Sequence, residues 1–203
     1  MIGFVQAGGG STRFGQDKAL AELGGKTMLV RTTELVAKVC DTAQIVAPAG
    51  RYQGAPTVVI EDRYPGEGPL GGIITALSVA TTMAPRAEWA LIVSCDMPFL
   101  TSDFLTFLCR RAETSSKQVI VPASASGLEP LCAVWNLAAE PTIRAAFDSG
   151  VRKVTEAMKR LPMEVLDERE WKRFDNENRM FWNMNTPADF EEARRILGET
   201  RAS

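Results

Sequence analysis

The sequence predicts an α/β fold with a mostly parallel central sheet and helices on both faces. Three observations carry this. Residues 2–6, 43–47 and 89–95 form short, nearly solid apolar runs, as strands buried on both faces do. Longer stretches between them repeat apolar residues at helical spacing. The two kinds of segment alternate along the chain, the pattern of β-α-β units. At 203 residues with 45% hydrophobic and 24% charged residues, the chain suits a globular protein, and we expect one domain over residues 1–203.

The first strand, 2–6, ends at a glycine cluster. Residues 28–39 place Met28, Leu29, Thr32, Leu35, Val36 and Val39 on one helical face. Two β-branched strands follow at 43–47 and 57–60, closed by Pro48 and by Glu61-Asp62. Residues 70–83 read as a helix through Ile73, Ile74, Leu77, Ala80 and Met83. The run 89–95 is a strand stopped by Asp96. A helix is expected over 102–113 with Ser102 as its N-cap. Strands at 119–121, 131–135 and 163–166 and helices at 140–147, 153–160 and 188–197 complete the reading. The charged stretch 167–179 reads as a solvated loop.

Composition removes several chemistries. There is no histidine, which excludes Ser-His-Asp and Cys-His nucleophilic catalysis and any His-containing metal site. No two of Cys40, Cys95, Cys109 and Cys132 have C-x-x-C spacing, so zinc and thioredoxin-like sites are excluded. A formal net charge of −2 provides no basic field for nucleic acid or an anionic membrane. No signal peptide or membrane-spanning run is seen, and a reducing cytoplasm is the expected location.

In a doubly wound sheet, ligands gather beyond the carboxyl ends of the strands. The glycine cluster, Asp62 and Asp96 all fall at such ends. The first motif is Gln6-Ala7-Gly8-Gly9-Gly10-Ser11-Thr12-Arg13-Phe14-Gly15-Gln16-Asp17-Lys18. Glycines let backbone N–H groups approach a phosphate, and Arg13 and Lys18 supply positive charge. Gln16 after Gly15 excludes a Walker A loop, and Arg13 breaks the dinucleotide fingerprint. A glycine-rich turn with no ligand is the structural alternative.

Asp96 ends a buried strand, where a negative charge needs a partner or a cation, and one carboxylate plus substrate phosphates is a common way to hold Mg²⁺. A turn aspartate before Pro98 is the alternative, and Asp62 admits the same two readings. Gly66-Glu67-Gly68-Pro69-Leu70-Gly71-Gly72 joins Asp62 to a helix start, where free N–H groups can meet an anion or a base edge, or where glycines simply allow close packing. In Asn183-Met184-Asn185-Thr186-Pro187, Thr186 caps a helix that starts at Pro187. If this segment is extended, Asn183 and Asn185 share a face. Trp171 and Trp182 admit two readings, lining a groove or the more common half-buried packing, and Gly150-Val151-Arg152-Lys153 is a basic turn suited to an anion.

Together these motifs resemble the nucleotidyltransferase family that includes the molybdenum cofactor guanylyltransferase, MobA. Ala7, Gly8, Gly9, Ser11, Arg13, Gly15, Asp17 and Lys18 match its opening pattern in register. Gly68-Pro69-Leu70-Gly71-Gly72, Cys95-Asp96-Met97-Pro98-Phe99, Glu129-Pro130-Leu131 and Asn183-Met184-Asn185-Thr186-Pro187 resemble later segments. The resemblance implies a Rossmann-like nucleotidyltransferase fold, with GTP and molybdopterin as substrates and Mg²⁺ as cofactor. It further implies that Gln6, Ala7, Gly8, Gly9, Lys18, Asp62 and Asp96 bind nucleotide, with Asp96 the metal ligand. Arg13, Lys18 and Asp96 would be catalytic. Arg152, Lys153, Asn183 and Asn185 would face the pterin. Transient contact with molybdoenzymes or other proteins of cofactor biosynthesis is also implied.

Two positions depart from the pattern: Gln6 replaces a leucine, and Ala47-Pro48-Ala49-Gly50-Arg51 lacks the asparagine that the family places after its second strand to help read the base. The expected reaction is GMP transfer from GTP to the molybdopterin phosphate with release of pyrophosphate. The alternatives are a cytidylyl- or sugar-nucleotidyltransferase using the same loop, and a non-catalytic nucleotide or cofactor carrier.

Overall fold

The computed structural model describes residues 1–8, 17–83, 86–175 and 177–198. Among them lie strands β1 (Ile2–Gln6), β2 (Glu22–Leu23), β3 (Lys26–Thr27), β4 (Thr42–Ala47), β5 (Val59–Glu61), β6 (Trp89–Ser94), β7 (Val119–Ser124), β8 (Gly127–Leu128), β9 (Cys132–Asn136) and β10 (Met163–Leu166). The α-helices are α1 (Met28–Ala37), α2 (Pro69–Met83), α3 (Ser102–Thr114), α4 (Glu140–Asp148), α5 (Val154–Met158), α6 (Glu168–Trp171) and α7 (Pro187–Ile196). The main sheet runs β10-β7-β9-β6-β1-β4-β5, with β8 paired to β7. Its β5-β4-β1-β6 half is parallel, and β9 is antiparallel to both its neighbours.

Apolar side chains alternate between two cores, as strands covered on both faces require. Val5, Ile45, Leu91 and Val93 face α1 and α3. Phe4, Val46, Ala90 and Ile92 face α2, α4 and α5. The chain leaves β1 through α1 on one face and reaches β6 through α2 on the other. β1 sits between β4 and β6, so the carboxyl ends of these strands form a switch point, where such sheets hold ligands.

Several local expectations change. The N-cap of α3 is Thr101, not Ser102: Thr101 has extended backbone, and its hydroxyl accepts from Phe104 N at 3.3 Å. The stretch 167–179 is not wholly loop. Asp167 and Glu170 form a reciprocal capping box that starts α6, and a 3-10 turn follows over Lys172–Phe174. Trp171 is buried there, with its indole N–H donating to Ala123 O at 3.0 Å. The β2–β3 hairpin escaped the sequence reading. Gly24 and Gly25 at its turn both have positive φ, 67° and 71°, as a type I′ turn requires. Among the described residues no helix is long and apolar enough to cross a membrane.

Candidate active site

The floor of the site is the end of β1. Ala7 N–H donates to Val46 O at 2.9 Å, carrying the chain out over β4. Gly8 follows at φ +113°, and a Cβ there would lie 2.3 Å from Pro48 Cδ. Only glycine turns here. Gly9 and Arg13 lie outside the described residues.

Asp17 then caps the short 3-10 helix Lys18–Leu20, accepting from Ala19 N at 3.1 Å. Its carboxylate is braced from the segment after β4: Arg51 pairs with Oδ2, and Tyr52 OH donates to Oδ1 at 3.2 Å. Burial, then the bond to Asp17, pushes the Tyr52 phenol up, so it stays a neutral donor. This brace fixes where Lys18 begins. Lys18 Nζ donates to Asn185 Oδ1 at 2.8 Å and lies 4.0 Å from Asp96 Oδ2.

Asp96 stands two residues past the end of β6. Cys95 N–H donates to Gln6 O at 3.3 Å, and Asp96 O accepts from Met184 N at 2.9 Å. Asp96 Oδ1 is buried with no hydrogen-bond partner among the described residues. An orphaned carboxylate oxygen of this kind fits a cation ligand. No group of three or more Cys, Asp or Glu among the described residues could hold a metal ion alone. A divalent ion here would therefore share Asp96 with ligand phosphates, the usual Mg²⁺ arrangement. Burial pushes the Cys95 thiol up, so the neighbouring sulfur is no thiolate nucleophile.

On the α2 side, Asp62 Oδ1 accepts from Tyr64 N and from Thr75 Oγ1, each at 3.0 Å. Gln6 reaches the start of α2, and its Nε2 donates to Pro69 O at 3.0 Å. Gln6, Ala7, Gly8, Lys18, Asp62 and Asp96 all line one cavity of about 380 Å³.

A second groove of about 720 Å³ is lined by Asn183, Asn185 and Trp182. The bond from Met184 to Asp96 buries Met184 and leaves the two asparagines on the groove side. Trp182 stacks on Phe99, with ring centroids 5.6 Å apart and planes 7° from parallel. Trp171 lines the same groove, though its indole N–H is already taken. The Lys18–Asn185 bond joins groove and cavity.

Arg152 lies elsewhere. Its Nε pairs with Glu67 at 2.6 Å, and its guanidinium covers the Phe147 ring at 4.0 Å. Arg152 is not among the residues lining the Asn183–Asn185 groove. Lys153 is exposed at the N-cap of α5, also off that groove. Sequence reasoning missed the Arg51–Tyr52 brace. The available signal was Asp17 in the opening motif, and nothing in spacing connects it to residue 51.

Residues 3–162 match the MobA-like NTP transferase domain. The molybdenum cofactor guanylyltransferase of Rhodopseudomonas palustris is 36% identical over 95% of this chain and 91% of its own length. That of Desulfosudis oleivorans is 32% identical over 100% of this chain and 98% of its own. The crystal structure of molybdopterin-guanine dinucleotide biosynthesis protein A from Archaeoglobus fulgidus superposes with a TM-score of 0.81 at 25% identity, covering 98% of this chain and 100% of that one. A matched family domain over most of the chain, on a sheet whose switch point carries the motif residues, places this protein in the MobA-like NTP transferase family.

Proposed function

We propose that the protein transfers GMP from GTP to the terminal phosphate of molybdopterin. A phosphate oxygen of the pterin attacks the α-phosphorus of GTP, and the bond to the bridging oxygen breaks to release pyrophosphate. An attacking phosphate is already anionic at neutral pH, so the step needs no general base, which suits a chain without histidine. The carrying observation is that Lys18 and Asp96 meet in one cavity whose neighbouring groove presents Asn183 and Asn185. Lys18 neutralises charge on the phosphates, and Arg13 of the opening motif acts with it. Asp96 is the ligand for Mg²⁺, which when bound would withdraw charge from the phosphate oxygens. The asparagine face receives the pterin. Four free cysteines suit a reducing, cytoplasmic setting.

The test is pyrophosphate release with molybdopterin and GTP, CTP, UTP or ATP in turn, with and without Mg²⁺. GTP alone should support turnover, and only with the metal. Preferred turnover of CTP or UTP would move the protein to another branch of the fold. Nucleotide binding without turnover would make it a carrier.

A further inference from the structure

Gln6 has an amide whose two ends are in different states. The Nε2 end is committed to Pro69 O at 3.0 Å. A Cβ on Gly72 would fall 2.1 Å from that nitrogen, so the glycine makes the space the amide occupies. Because Pro69 offers a carbonyl, the amide must present nitrogen there and cannot be flipped. Its Oε1 is buried and has no partner among the described residues. Leaving a buried acceptor unpaired is costly, and a ligand donor that reaches it gains accordingly.

The lining of the cavity that Gln6 shares is of two kinds. Lys18, 4.0 Å from Asp96 Oδ2, supplies a cation, which suits phosphates. Gln6 and Asp62 lie towards the start of α2 and offer acceptor oxygens, which repel phosphate and call for N–H or O–H donors. The wall there, Gly66, Gly68 and Pro69, carries no polar side chain, which suits the flat face of a base.

We infer that Gln6 is a specificity-determining residue whose Oε1 accepts a hydrogen bond from an N–H on the ring edge of guanine. Adenine presents an acceptor nitrogen and a C–H at the corresponding positions, so the same oxygen disfavours it. This rests on the reading of the cavity as a nucleoside triphosphate site. It assigns to a side chain at the end of β1 part of the base reading that no asparagine after β4 can perform.

The experiment compares wild type with Gln6→Met and Gln6→Leu, measuring kcat/KM and calorimetric binding for GTP, ATP and dGTP. Gln6→Met should lower the GTP-over-ATP preference by roughly 10- to 100-fold, chiefly through GTP, with the GTP-over-dGTP ratio unchanged. Equal losses for GTP and ATP would make Gln6 a packing residue and overturn the inference. A changed dGTP ratio would move the bond to the ribose and overturn it too. If wild type binds GTP over ATP without transferring GMP, and the variants lose that preference, the transfer reading fails while the role of Gln6 stands. If both variants melt too low to assay, the preference of Gln6→Glu is decisive: its carboxylate keeps an acceptor oxygen for the ring-edge N–H, so retained GTP-over-ATP preference supports the inference and a lost preference in the folded variant would overturn it.

Discussion

Lys18 Nζ donates to Asn185 Oδ1 at 2.8 Å across 167 residues of sequence. The bond ties the cavity lined by Lys18 and Asp96 to the neighbouring groove, and it holds the ammonium 4.0 Å from Asp96 Oδ2, an ion pair without a direct hydrogen bond. Asn185 is a neutral acceptor, so it orients Lys18 while leaving its charge for an anionic ligand. Asn185→Asp should neutralise the lysine locally and raise the KM for GTP several-fold. Asn185→Ala should instead lower turnover with pterin more than affinity for GTP. Steady-state kinetics against each substrate separates the two.

Lys18→Ala should reduce kcat/KM by roughly 10²–10³, the usual effect of losing one charge-stabilising donor. Lys18 is partly exposed and joins no apolar core, so the melting temperature should change little. Unchanged kinetics would remove Lys18 from the chemistry.

Asp96→Asn should abolish Mg²⁺-dependent pyrophosphate release and leave the fold intact. The orphaned Oδ1 makes no bond that folding needs, and the contact with Met184 uses the backbone carbonyl. Near wild-type turnover together with metal dependence would rule out Asp96 as the ligand.

Arg51→Ala should act on Lys18 at second hand. Asp17 would keep its cap on Ala19 and lose its ion pair, which at this exposure contributes under about 1 kcal/mol to stability. The expected signature is a raised KM for GTP with near-normal melting. Asp17→Ala should in addition cost about 1 kcal/mol as a lost cap, read by denaturant unfolding.

The end of the molecule nearest the groove should titrate. Burial pushes the Asp189 carboxyl up, but hydrogen bonds from Asn185 N, Thr186 Oγ1 and Thr186 N outweigh it and hold the group below its ordinary 3.8. A depressed carboxyl stabilises the fold above its unfolded value and loses that contribution as pH falls through the folded one. Thermal unfolding below about pH 4 should therefore weaken more steeply in wild type than in Asp189→Asn. Parallel curves would contradict the shift.

Much of this was legible in the sequence because it is local. Alternating apolar runs determined the strands of the parallel half, since each strand there must satisfy a core on both faces. Thr186 and Pro187 announced α7, and both the cap and the first-turn proline stand where spacing placed them. The absence of histidine by itself excluded histidine-dependent nucleophilic catalysis and His-containing metal sites. Even the shared face of Asn183 and Asn185 followed from period-two geometry once the segment was taken as extended.

Tertiary structure decided what depends on distance through space. Gln6 looked like a substituted leucine until Pro69 and Gly72 showed how its amide is fixed. Asp17 acquired its brace only when the segment after β4 folded over it. Arg152 lies on Glu67 and Phe147, 85 residues and five residues away in sequence, and no pattern of neighbours foretells that choice. The physical reason is one of range. Side-chain periodicity and capping are set by residues within a turn or two, whereas the partner of a long polar side chain is whichever complementary group the packed sheet brings within about 3 Å.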